Sequence, residues 1–160
     1  MRAAPRRLSR AALIGACASL LLAIGCKQAD KKKVAAYAQA STRTAQLFDA
    51  LLKDRCQRVA KSSTWQSAVE DTNARYPEYV RSSQDAVTAY DALMKSDPPS
   101  RVLDQQRAAS DAGKELSRCR DEFQKVCTER FGKGPELDRA RAQMDAALTA
   151  YLAALRAVGK

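Results

Sequence analysis

Thiols are the side chains in this chain best suited to covalent chemistry. Cysteines stand at positions 17, 26, 56, 119 and 127, and there is no histidine. A thiolate can act as a nucleophile, bind a metal or pair with a second thiol in a disulfide. The first of these roles lacks support here. Without histidine the commonest general base and metal ligand is missing, and no glycine-rich phosphate loop or nucleophile elbow accompanies the cysteines. The pair Asp121-Glu122 and the nearby Glu129 read as the solvated face of a helix rather than as acid-base machinery. A cysteine-only metal site needs three or four converging thiolates, and these fall on stripes that read as core. The expectation is a protein that is not an enzyme and carries neither metal nor cofactor.

Cys26 has a different setting from the other thiols, at the junction between an apolar run and lysines in SLLLAIGCKQADKKK. Ahead of it, MRAAPRRLSR is a basic leader and residues 11–25 form an apolar run ending in small residues, the pattern of a secretory signal. Fifteen residues at about 1.5 Å each span roughly 22 Å, short of the ~30 Å needed to cross a bilayer. The stretch Leu22-Ala23-Ile24-Gly25-Cys26 resembles the lipobox of bacterial lipoproteins. That resemblance implies cleavage between Gly25 and Cys26 and a diacylglycerol thioether on the Cys26 sulfur. Ile14-Gly15-Ala16-Cys17 has similar spacing, but its apolar run is too short for a signal. The resemblance also implies sorting: Lys27, where inner-membrane lipoproteins carry Asp, directs the chain to the outer membrane, facing the periplasm. Expected segments are a removed signal at 1–25, a lipidated cysteine and basic tether at 26–33, and one domain at 34–160.

Charge follows the same division. The formal net charge is +10, but residues 1–25 hold four arginines and no acid, which leaves +6 on the remainder. Residues 26–33 carry +3, from Lys27, Lys31, Lys32 and Lys33 against Asp30, and residues 34–160 carry the other +3. A nearly balanced domain argues against nucleic acid as a partner. The four tether lysines are instead placed to meet anionic headgroups, each contributing up to about 1 kcal/mol. They would serve equally as a solvated spacer.

The elements that must carry these residues are helices. Apolar positions from Val34 to Val59 recur at steps of three and four, with Cys56 among them. A second stripe runs Trp65, Val69, Thr72, Tyr76, Val80, Ser83, Val87, Tyr90 and Met94, opened by a Ser63/Gln66 capping box and interrupted at Pro77. Asp97-Pro98-Pro99 stops it and restarts a third, with Asp97 as cap and Pro98 as first helical residue. The third stripe, Val102 to Arg130, alternates like a coiled-coil seam and includes Cys119. After Phe131-Gly132-Lys133-Gly134-Pro135 comes the last, Leu137 to Val158. Short loops force neighbours to reverse, so the expected fold is all-α: an antiparallel up-and-down four-helix bundle whose second helix is kinked or broken at Pro77.

With Cys26 acylated and Cys17 removed, Cys56, Cys119 and Cys127 remain, enough for one internal bridge and one leftover thiol. Cys119 and Cys127 are about 12 Å apart along a helix, beyond bridging distance. Cys56 and Cys127 lie at the same height near helix ends and are the favoured pair, although the first and third helices of a square bundle are diagonal. Function is expected to be that of a tethered, non-enzymatic binding or assembly module for an envelope protein or the cell wall. Tyr79, off the second stripe, is the first candidate contact. Residues 119–152, with Cys119, Cys127 and Pro135-Glu136-Leu137 leading into an alanine-rich helix, are similar to the lysozyme-inhibitor lipoproteins. That similarity implies an alternative role, inhibition of a periplasmic or host enzyme such as lysozyme.

Overall fold

The computed structural model describes residues 30–62, 65–71 and 75–160, and all regular structure among them is helical. Helix α1 covers Lys31–Ser62. It begins ahead of the apolar stripe because Asp30 caps it, its carboxylate accepting from the backbone N–H of Lys32 (3.1 Å) and Lys33 (3.4 Å). The second helix of the expected bundle is broken in two, α2 at Trp65–Asp71 and α3 at Tyr76–Met94. Pro77 stands in the first turn of α3, where its missing N–H has no intrahelical partner to lose. Ser63 lies outside the described residues.

Two expectations are corrected here. Helix α4 spans Ser100–Glu129, with Pro99 rather than Asp97 in the cap position. A residue before proline is pushed out of the helical region, so Pro98 cannot open a helix ahead of Pro99. Asp97 instead takes the left-handed conformation, φ +49°. The second stripe is also rotated: Val87 is 59% exposed and Tyr76 44%, while Ser82 and Leu93 are buried. The buried Ala68, Ser82 and Leu93 each stand one position before the expected Val69, Ser83 and Met94, so the whole face is turned by one residue, and Ser82 meets Thr44 of α1. Helix α5, Pro135–Ala157, completes the set, opened by Gly134 at φ +103°.

The order up, down, up, down makes an antiparallel four-helix bundle with a broken second helix. Helix α1 packs against α3, α4 and α5, and α4 and α5 share the most extensive interface. Two apolar clusters fill the interior. One, at the far end from Lys31, gathers Leu52, Val59, Leu116, Phe123, Leu137 and Met144 with all three described cysteines. The other gathers Val34, Tyr37, Leu93, Val102, Leu155 and Val158 around the start of α1. Phe123, Leu116, Met144 and Leu155 are fully buried, each contributing about 1.5–3 kcal/mol. Gly113 lets the two long helices close together: a Cβ there would stand 3.2 Å from the Tyr151 ring.

Candidate functional site

A polar layer crosses the first apolar cluster, at the height between Ala45 and Leu52 of α1 and between Leu116 and Phe123 of α4. Asp49 on α1 is buried, its side chain 3% exposed, and Arg120 on α4 reaches it from the opposite side. Arg120 donates through Nε to Asp49 Oδ1 (2.6 Å) and through Nη2 to the Ala45 carbonyl (2.9 Å), with its guanidinium 4.9 Å from the Phe48 ring centroid. Asp49 Oδ2 has no hydrogen-bond partner. Burial raises the Asp49 pKa above its usual 3.8, against the pull of the Arg120 charge. Lys53 pairs with Asp145 of α5 close by, and Thr44 hydrogen-bonds the Ser82 carbonyl (2.8 Å) across to α3. A cavity of about 200 Å³ opens on this layer, lined by Ser41, Thr44, Gly113, Ser117, Arg120 and Tyr151. Its hydroxyls and guanidinium can hold water or a small polar group. The layer fixes the register of α1 against three neighbours and offers no nucleophile paired with a base.

From this layer an aromatic ladder climbs to the end of the bundle away from Lys31. The Phe48 ring lies 4.9 Å from Tyr79, Tyr79 lies 5.9 Å from Tyr76, and the Arg55 guanidinium lies 5.9 Å from Tyr76. Tyr79 therefore packs between neighbours, half-buried, and Tyr76 is the rung that faces water. Tyr79, the first candidate contact, is thus partly accessible between two rings.

At the same end α4 finishes in a Schellman turn. The Gly132 N–H donates to the Cys127 carbonyl (2.9 Å) and the Phe131 N–H to the Thr128 carbonyl (3.5 Å). The left-handed position that glycine usually fills falls on Phe131, φ +50°, and Gly132 follows at φ +70°. A left-handed aromatic costs about 1–2 kcal/mol, and this ring gains little burial for it, being 61% exposed. Gly132 is fixed by its surroundings: a Cβ would lie 2.8 Å from the Cys56 carbonyl oxygen. In the sequence the turn is marked by its glycines and proline; the signal for Phe131 is that a large apolar residue precedes Gly132 in an otherwise polar, glycine-rich loop.

Cys56 and Cys127 form the disulfide, with Cα atoms 5.8 Å apart. Because α1 lies directly against α4 as well as α3 and α5, the diagonal separation of a square bundle does not arise. Cys119 is a buried free thiol, its pKa raised by burial and by Glu115 beside it. Lys31, Lys32 and Lys33 form the exposed first turn of α1, Lys33 paired with Asp30 at 3.5 Å. Gly25, Cys26 and Lys27 lie outside the described residues. Among the described residues no group of three or more Cys, Asp or Glu is placed to hold a metal ion, and no helix is long and apolar enough to cross a membrane. Compared with known proteins, the chain matches no family model, no curated protein and no solved structure.

Proposed function

We propose that this small all-helical domain is a bacterial lipoprotein, anchored through acylated Cys26 in the outer membrane and facing the periplasm. It acts as a non-enzymatic binding or assembly module toward an envelope protein or the cell wall. The observation that carries the binding role is Phe131, a water-exposed ring held in a strained backbone conformation beside a disulfide. Strain retained at an exposed apolar residue without a packing return is characteristic of contact surfaces. Tyr76, with Arg55 over its ring, extends the surface with residue types enriched at binding hot spots. The anchor is supported by the sequence alone.

The test uses Phe131→Asn, since asparagine tolerates the left-handed conformation. Stability should rise by about 1 kcal/mol, read from denaturant midpoints, while crosslinking to envelope proteins and co-sedimentation with purified cell wall should fall. Unchanged capture by both assays would remove Phe131 from the binding surface. Mass spectrometry of the membrane-purified chain should show acyl chains on Cys26, and an unmodified thiol there would end the anchored reading. A protruding ring would also suit the alternative, insertion into the cleft of an enzyme such as lysozyme. A lysozyme turbidity assay separates the two, because an adaptor leaves lysis unaffected.

A further inference from the structure

The two ends of the bundle carry very different charge. At the end where α1 starts, the first turn of α1 holds Lys31, Lys32 and Lys33, and the turn between α3 and α4 is flanked by Lys95 and Arg101. Arg156 and Lys160 close the same end from α5. Against these seven basic side chains stand two acids, Asp30 and Asp97; one turn further in lie Asp91 on α3 and Asp104 on α4, the latter paired with Arg107 at 3.1 Å. At the opposite end basic and acidic residues balance, six of each among the described residues 54–62, 65–71, 75–80 and 126–137. The excess of the folded domain is thus collected on one face.

Helix-dipole stability accounts for only part of this: Lys95 and Arg156 sit at the C-terminal ends of α3 and α5, where a cation is favourable, whereas Lys31, Lys32, Lys33 and Arg101 sit at N-terminal ends. The three lysines in the first turn of α1 have only the capping Asp30, paired with Lys33, to complement them, and cations at a helix N-terminus oppose the positive end of the helix dipole. All seven except Lys33 are exposed. Within the same face, a groove of about 300 Å³ runs between α1 and α5. Val34, Ala35, Leu155 and Val158 line it, with Lys31 and Arg156 at its edge. Basic stems around an apolar floor can insert among headgroups while their charges stay in water.

We infer that this end is a docking face for anionic phospholipid, on which the bundle stands upright. The inference rests on the anchored reading in one respect. Cys26 precedes Lys31 by five residues, a reach of at most about 18 Å, so acyl chains on Cys26 would hold this end against the headgroups. What is new is that Lys95, Arg101, Arg156 and Lys160, distant in sequence from the anchor, contact the bilayer and set the orientation.

The test uses the chain purified from bacterial membranes and reconstituted in two kinds of vesicle. One is phosphatidylcholine alone and the other contains about a third phosphatidylglycerol. Amine acetylation read by mass spectrometry should be several-fold slower at Lys95 and Lys160 in the anionic vesicles than in the neutral ones, with Lys61 and Lys133 unchanged. High salt should remove the difference, because the charges act across a hydrated surface. Lys95→Glu with Arg101→Glu, both exposed, should abolish protection at Lys160 while leaving helicity intact. Equal labelling of Lys95 in both vesicles overturns the proposal, and so does protection that extends to Lys133. If the chain proves unacylated, it is added to preformed anionic vesicles at high lipid. Protection of Lys95 there sustains the docking face although the anchor has failed, and its absence sinks both.

Discussion

Asp49 is where single-residue chemistry most directly controls this fold. Its carboxylate is buried with one oxygen bonded by Arg120 and the other unpartnered, and burial makes it bind a proton more readily folded than unfolded. Protonation therefore favours the native state. That contribution is complete below the ordinary value of 3.8 and is lost as pH rises through the higher folded value. Asp49→Asn, neutral throughout, should abolish this slope. In chemical denaturation from about pH 4 upward, the parent protein should lose stability relative to the variant as pH rises, and parallel curves would refute it. Asp49 fell between stripe residues, and charge at such a position reads as solvent-facing. Only the approach of α4 from the other side reveals it as interior, and a contact between residues 71 apart in sequence leaves no local pattern.

Helices and their turns show where local rules were sufficient. The stripes of α1, α4 and α5 match the buried residues closely, because large apolar side chains occupy most buried positions along each. The stripe across α2 and α3 is displaced by one residue, because the buried face carries Ala68 and Ser82, and small or polar residues at buried positions leave no apolar signal to read. Proline marked the break correctly. The α4–α5 turn yields two predictions. Gly132→Ala should cost about 2 kcal/mol or more, from the left-handed backbone together with the collision against Cys56 and Ala60, measured as a fall in denaturant midpoint. Reducing the Cys56–Cys127 bridge, or replacing both cysteines by serine, should cost about 4 kcal/mol, since it closes a loop of 71 residues. Comparison of urea curves with and without reductant checks this, and Cys119→Ser should not reproduce it. The pairing itself was legible from matching heights along the bundle. That α1 could lie against α4 was not, because square packing is only one way to arrange four helices.

At the scale of the molecule, the domain is a rod with two unlike ends. The 30 residues of α4 set its length at about 45 Å. On the docking face proposed above, the Phe131 end would stand that far from the headgroups. Energy transfer from a dye at position 133 to a lipid-surface acceptor should report a separation of about 45 Å, and one of roughly 10–20 Å would mean a bundle lying flat. The end placements of Lys31 and Phe131 also define a direction for mechanical load. A partner held at the Phe131 end and an anchor at the Lys31 end would pull on α1 along its length. The noncovalent contacts of α1 could then peel open residue by residue, beginning at Val34, but only as far as Cys56. Beyond it the covalent link to α4 carries the tension, so the turn that presents Phe131 would keep its shape on a chain already half unzipped.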